Sequence, residues 1–303
     1  MRAIGIILAG GNSERLKDLC KVRAIAAMPV VSSYRAIDFS LSNMSNSGIK
    51  KVAVITQFNS RSLQDHLSSA KWWELDRKEG GLYIFTPFLS SDNNFWFRGI
   101  ADSIYQNISY LKRSHEPYVV ICSGEAVYKM DYSAMLKYHK ENNADATIAV
   151  LEVPMEDASR FGIMNADEND KIYEFEEKPE HPKSNLASMG IYIFTWSNLR
   201  KALIEDEKIH PDSDFGKHII PKMLGEGQSL YAYRFKDYWK DVGTIESYWA
   251  ANMELIKTLP EFNLYEDFWK IYTKSDYQPP QYTGENASIK TSIVSEGAQI
   301  YGS

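Results

Sequence analysis

An α/β fold built on a mostly parallel sheet is what this 303-residue sequence predicts. Apolar runs of strand length recur at intervals of roughly 30–60 residues, with helical stretches between them. A glycine-rich turn follows the first run, and strand, glycine turn, helix is how such a domain opens. The composition, 44% hydrophobic and 24% charged, is that of a globular chain long enough to bury a full core.

Residues 3–9 are almost wholly apolar and rich in isoleucine, as in a strand buried on both faces of a parallel sheet. Gly10-Gly11-Asn12-Ser13-Glu14-Arg15 follows, then a helical-looking stretch. Residues 51–56 (KVAVIT) read as a second strand and 61–73 as a helix. Residues 118–122 (YVVIC) read as a third strand, followed by Ser123-Gly124 and a helix over 132–142. Residues 146–153 read as a fourth strand.

Beyond about residue 150 the runs become short and aromatic: 172–175 (IYEF), 189–194 (MGIYIF) and 230–235 (LYAYRF). These suit antiparallel or edge strands around a site. Residues 245–256 carry Tyr248, Trp249, Met253 and Ile256 at helical spacing. Pro, Tyr and Asp then dominate residues 260–284, a linker composition. In residues 286–303, Ile289, Val294 and Ile300 recur about six apart, as at the start of a left-handed β-helix. The expected division is a domain over 1–260, a linker over 261–285 and a truncated β-helix start over 286–303.

Thirty-four basic against forty acidic residues give a net charge of −6. That argues against a nucleic-acid partner and against an anionic membrane surface. The apolar runs are far shorter than the roughly 20 residues of a membrane span. The N-terminus lacks the small-residue cleavage region of a signal peptide, so a cytoplasmic location is expected. Two cysteines, Cys20 and Cys122, exclude a disulfide framework; Cys122 ends a strand and reads as a small hydrophobe. His210 and His218 stand eight apart with no partner at metal spacing. Trp72, Trp73, Phe95, Trp96 and Phe97 suit a core, a subunit interface or a base-stacking surface.

The glycine loop is neither a dinucleotide fingerprint nor a Walker A loop: its glycines are adjacent and no Gly-Lys-Ser/Thr closes it. Adjacent glycines let a ligand approach the backbone, and amides near a helix start bind phosphate, with Arg15 adding a charged contact. A tight turn with a solvated Arg15 is the competing reading.

Leu8-Ala9-Gly10-Gly11 with Arg15-Leu16, then SYRAIDFSLSNMSNSGI (33–49) and ITQFNSRSLQDHL (55–67), resemble sugar-1-phosphate nucleotidyltransferases. More narrowly, the chain resembles bacterial glucose-1-phosphate adenylyltransferase. Gly99-Ile100-Ala101-Asp102, Phe161-Gly162-Ile163, Glu176-Glu177-Lys178-Pro179, Asp214-Phe215-Gly216-Lys217 and Trp239-Lys240-Asp241-Val242-Gly243 continue the likeness in order. The resemblance implies a Rossmann-like nucleotidyltransferase domain followed by a β-helix. It implies ATP and glucose 1-phosphate as substrates, ADP-glucose and pyrophosphate as products, glycogen synthesis as the setting, and Mg²⁺ as cofactor. Uridylyl or thymidylyl transfer fits the asparagine-rich and DFGK motifs less well. Carried over residue by residue, Arg15 is catalytic. Leu8, Ala9, Gly10, Gly11, Gln57, Gly99 and Asp102 bind the nucleotide. Gly162, Glu177, Lys178, Ser188, Tyr192, Asp214, Phe215 and Trp239 bind the sugar phosphate, and Glu125 and Asp241 hold the metal.

The nucleotide side departs from the family pattern. Arg23-Ala24-Ile25-Ala26-Ala27 stands where the family has Arg-Ala-Lys-Pro-Ala, so a lysine for the ATP phosphates is replaced by Ile25. Glu125 stands where the family has aspartate, and Ile100 where it has threonine. Mg²⁺ demands near-ideal octahedral geometry, so the longer Glu125 implies weakened metal binding. The N-terminal half resembles the regulatory, weakly catalytic paralogue of glycogen synthesis in Gram-positive bacteria. The resemblance therefore implies either slow catalysis or a regulatory subunit, in a homo- or hetero-oligomer with a catalytic homologue under allosteric control.

Overall fold

A computed structural model describes residues 1–11, 14–88, 96–257 and 260–302; Asn12, Ser13 and Phe95, named above, lie outside the described residues. Nine of its strands form one sheet. In chain order they are β1 (Ala3–Leu8), β2 (Lys51–Ile55), β3 (Gly81–Phe85), β4 (Tyr118–Ser123), β5 (Ala146–Glu152), β6 (Gly162–Ala166), β7 (Ile172–Glu177), β8 (Leu186–Thr195) and β9 (Leu230–Arg234). The order across the sheet is β3-β2-β1-β4-β8-β5-β9. Pairing is parallel from β3 through β4. The long β8 runs antiparallel to both β4 and β5, and β6 joins β8 at Ala187 and carries β7 on its other edge. The fold is thus α/β, with a parallel core made mixed by β8.

The parallel strands read as continuous apolar runs because both faces are covered. In β1, Ala3 and Ile7 pack into one core cluster while Ile4 and Ile6 pack into another. Val120 and Cys122 of β4 join the first, Val119 and Ile121 the second. Cys122 is fully buried, and burial pushes its thiol up to about 11, in keeping with a packing role.

Helix α1 (Ala36–Asn46) is unusual in burying its polar residues along with its apolar ones: Asp38, Ser40, Ser42 and Asn43 are all inaccessible. Each is satisfied, as buried polar groups require. Asp38 Oδ1 meets His66 Nε2 at 2.7 Å, Ser40 Oγ donates to the Ser123 carbonyl at 2.8 Å, and Asn43 Nδ2 donates to the Tyr128 carbonyl at 3.2 Å.

The aromatic strands are antiparallel or at an edge, as expected, and β7 is both. β8, at 10 residues, is central rather than an edge strand, and β9 is an edge strand but pairs in parallel with β5. Residues 61–73 do not form one helix; α2 (Arg61–His66) and a 3-10 turn (Ala70–Trp73) are separated by Leu67, Ser68 and Ser69. Trp73 and Phe97 are buried, whereas Trp96 is exposed and stacks on Phe58 with ring centroids 5.7 Å apart, so the tryptophan-rich residues do not gather at one place.

Residues 260–302 pack as a strap. Phe262 and Ile271 are buried, Trp269 Nε1 donates to Asn43 Oδ1 at 2.9 Å, and Tyr272 N donates to Ser42 Oγ at 2.8 Å. Near its end Tyr282–Thr283 pairs in parallel with Gln299–Ile300, a two-residue ladder. Among the described residues no helix is long and apolar enough to cross a membrane.

Candidate active site

The C-terminal ends of parallel strands are where α/β sheets bind ligands. Here Leu8 is in register with Ile55 on one side and Ser123 on the other. Three loops therefore leave the sheet side by side: Ala9-Gly10-Gly11, Thr56-Gln57 and Gly124-Glu125. They are tied together. Ala9 N donates to the Ile55 carbonyl at 2.8 Å, Gly124 N to the Leu8 carbonyl at 2.9 Å, and Thr56 Oγ1 to the Ala9 carbonyl at 2.9 Å.

The glycine loop does not lead into a regular α-helix. Glu14–Cys20 is a 3-10 segment broken at Lys17, whose φ of 49° is left-handed. Arg15 on its exposed side is therefore aimed by a kinked turn and not by a helix N-terminus.

Asp241 arrives from 116 residues beyond Glu125. A short strand Trp239–Asp241 pairs antiparallel with Ala126–Tyr128, setting Asp241 opposite Ala126, and Val242 N donates to the Glu125 carbonyl at 2.9 Å. Asp241 Oδ1 accepts the Gly243 N–H at 2.9 Å. A side chain at Gly243 would put its Cβ 2.9 Å from that oxygen and 3.5 Å from Arg15 Nη2, so glycine is needed where guanidinium and carboxylate come together. Glu125 closes the group: its Oε1 would stand 3.4 Å from a Cβ on Gly11.

Both carboxyls are raised above their ordinary values. Burial, then the charge of Asp241, raises the Glu125 carboxyl to about 7, while Arg15 pulls it down. Burial also raises Asp241, against the Gly243 N–H and the positive charges of Arg15 and Arg160. Hard oxygen donors converging with excess negative charge fit Mg²⁺, so Glu125 and Asp241 are suited to hold it.

Ile25 contributes no charge here. It is 3% exposed and packs among Leu16, Cys20, Met28 and Phe39. Lys21 is exposed beside Asp18 at 3.9 Å. The segment has become part of the apolar core.

The nucleotide rim is shaped by Gln57 and Asp102. The Gln57 amide both accepts from Phe97 N at 3.1 Å and donates to its carbonyl at 3.3 Å. Asp102, 1% exposed, accepts from Arg98 N and Gln106 Nε2, both at 2.8 Å. Gly99 lies against the Ser213 carbonyl, and Ile100 begins α3 (Ile100–Gln106) on its exposed side. In this state the polar atoms of Gln57 and of Asp102 Oδ2 hold the loop rather than project from it.

The sugar-side residues form a second group. Glu177, the last residue of β7, pairs with Gly162 and lies against Gly216, where an added Cβ would stand 2.4 Å from its Oε2. Lys178 is exposed with its Nζ 3.4 Å from Glu177. Asp214 caps the π-helical turn Phe215–Ile219, accepting from Gly216 N at 2.8 Å. Phe215 stacks on Tyr192 at 5.6 Å, and Ser188 Oγ is 3.4 Å from the Tyr192 hydroxyl. Burial, with Glu177 and Asp214 adding to it, pushes the Tyr192 phenol up to about 12. Trp239 links the groups: it sits two residues before Asp241, its ring is 6.3 Å from Phe161, and its Nε1 is buried with no hydrogen-bond partner among the described residues.

Sequence reasoning had not joined His210 and His218 to anything. The rings stack at 4.1 Å, and Asp206, on α4 (Trp196–Glu207), accepts from His210 Nδ1 at 2.9 Å. A cavity of about 530 Å³ lies away from both groups, between Lys129, Tyr238, Phe262 and Trp269.

Residues 4–258 match the nucleotidyl transferase family. A glucose-1-phosphate adenylyltransferase of Clostridium novyi is 54% identical over 300 residues, 99% of this chain and 78% of that protein. Proteins of the same name from Acetivibrio thermocellus and Ruminiclostridium cellulolyticum are 53% and 51% identical, again over 99% of this chain and over 71% and 70% of theirs. The chain belongs to the glucose-1-phosphate adenylyltransferase family of nucleotidyl transferases.

Proposed function

We propose that the protein transfers an adenylyl group from ATP to glucose 1-phosphate, giving ADP-glucose and pyrophosphate for glycogen synthesis, at a reduced rate. The convergence of Arg15, Glu125 and Asp241 at the end of the parallel strands carries this reading. A phosphate oxygen of the sugar attacks the α-phosphorus in line, the bond to the β-phosphate oxygen breaks, and pyrophosphate leaves. No protein nucleophile takes part, so positioning and charge neutralisation are the chemistry required. Arg15 meets the negative charge on the departing pyrophosphate. Mg²⁺ held by Glu125 and Asp241 would screen the phosphates from one another. Glu177, Asp214, Tyr192 and Phe215 grip the glucose, Lys178 its phosphate, and the unsatisfied Trp239 N–H takes a substrate oxygen. Gln57, Gly99 and Asp102 shape the nucleotide rim.

The reduced rate rests on Ile25 and Glu125: no cation comes from position 25, and the metal oxygen is one methylene out of place. The test is pyrophosphate release by the purified chain with ATP, glucose 1-phosphate and Mg²⁺. Slow turnover, raised severalfold by Glu125→Asp, is expected. Turnover typical of the family would refute the reduced rate.

The burial of Ile25 in apolar packing favours a second reading, in which the chain is a regulatory subunit that binds the sugar phosphate and modulates a catalytic homologue. Co-expression with such a homologue decides it: altered kinetics and co-purification support it, and their absence rejects it.

A further inference from the structure

We propose that Asp206, His210 and His218 form a binding site for a divalent transition-metal ion of the zinc class. One carboxylate oxygen of Asp206 and one ring nitrogen from each histidine lie within 4.8 Å of one another. Bonds of about 2.0–2.1 Å to tetrahedral zinc put its ligands closer than this, so reorientation of one histidine side chain closes the set. Imidazole and carboxylate are the donors this class of ion selects, and a second shell is already in place.

Two observations make the group more than a chance cluster. Asp206 is 1% exposed, and among the described residues the side chains bonded to it are those of His210 and Ser213; no lysine or arginine neutralises it. A buried carboxylate of that kind is ordinarily paired or bound to metal. The two imidazoles stack with planes 10° apart beside this carboxylate, so both are at hand, and one swings out of the stack to aim its in-plane lone pair at the ion. A cation would take the place of the proton between His210 Nδ1 and Asp206. His218 offers the lone pair that now accepts the Asp214 N–H at 3.1 Å.

The ion would join the end of α4 to the turn Phe215–Ile219. Between them Ser213 gives its carbonyl to Ala101 N at 3.0 Å, and Asp214 and Phe215 follow. The tie therefore spans the segment that touches both the nucleotide rim and the sugar group.

The test is calorimetric titration of the untagged full chain with Zn²⁺ in saturating Mg²⁺, which keeps the Glu125–Asp241 pair occupied. One equivalent of Zn²⁺ is expected, with visible absorption bands of a four- or five-coordinate nitrogen–oxygen site when Co²⁺ replaces it. His210→Ala and His218→Ala should each weaken binding at least tenfold, and Zn²⁺ should raise the Tm of the parent chain but not of His218→Ala. Circular dichroism confirms that each variant is folded, and His218→Gln keeps the side-chain bulk. Absence of saturable Zn²⁺ binding to the parent chain overturns the proposal, as does binding that persists in both histidine variants. No nucleotide or sugar is present, so a chain inactive in nucleotidyl transfer still binds zinc, and an active chain that binds none defeats this proposal alone.

Discussion

The two halves of the candidate site are built on opposite plans. The sugar group is made of close contacts among rigid elements: Glu177 wedged against Gly162 and Gly216, and Tyr192 stacked on Phe215. The carboxylate corner is made of charges on kinked or exposed segments: Arg15 beside a left-handed Lys17, and two carboxyls held above their ordinary values. A shape-fitted pocket tolerates little change. A charge corner can be retuned, whereas Ile25 lies outside both groups in apolar packing.

Arg15→Ala should lower pyrophosphate release by on the order of 10²–10³ while leaving glucose 1-phosphate affinity unchanged, because one preorganised charge is lost. An equal loss in both would break the division into two halves. Ile25→Lys tests whether the family lysine can simply be restored. It puts an ammonium into apolar packing, so the Tm should fall by roughly 5–10 °C with no gain in rate. Thermal melting and the pyrophosphate assay check it together, and a faster, equally stable variant would show that position 25 faces the phosphates after all.

Gly216→Ala drives a Cβ into Glu177, so the KM for glucose 1-phosphate should rise by about tenfold with kcat little changed. A pH series addresses the corner instead. Glu125 titrates near 7 in the folded chain but near its ordinary 4.5 when unfolded. The folded state thus holds the extra proton between those values, and metal-free stability should fall as pH rises from about 4.5 to about 7, then level off. Mg²⁺ affinity should rise over the same interval. Glu125→Gln should flatten the stability profile; melts in chelator follow it. Smallest is Trp269→Phe, which removes the indole hydrogen bond to Asn43 and should cost about 1 kcal/mol, a Tm loss of a few degrees.

The buried strands were legible because both faces are covered and most of their residues are apolar. The half-exposed β3 was not: GLYIF offers neither a long apolar run nor clean alternation. Residues 61–73 have a helical composition, yet the chain breaks after His66, whose ring packs edge-on to Trp73 and reaches Asp38. The composition of residues 260–284 signalled a linker but not that Trp269 and Tyr272 would bond to α1, since those bonds depend on partners about 230 residues away. The site residues were legible as an ordered set of motifs. Their grouping was not, because Asp241 reaches Glu125 through a three-residue strand. His210 and His218 met Asp206 only once α4 and the turn after it were folded.

Helix α1 has a consequence for how such a protein can diverge. Ser40 holds the strand that leads to Glu125, Asn43 holds both Tyr128 and the strap, and Asp38 holds His66. A change at any one of them leaves a buried partner unsatisfied in a different part of the molecule. The helix can only be inherited whole. Change is easier around it, in apolar packing such as that of Ile25, 11 residues before the helix begins.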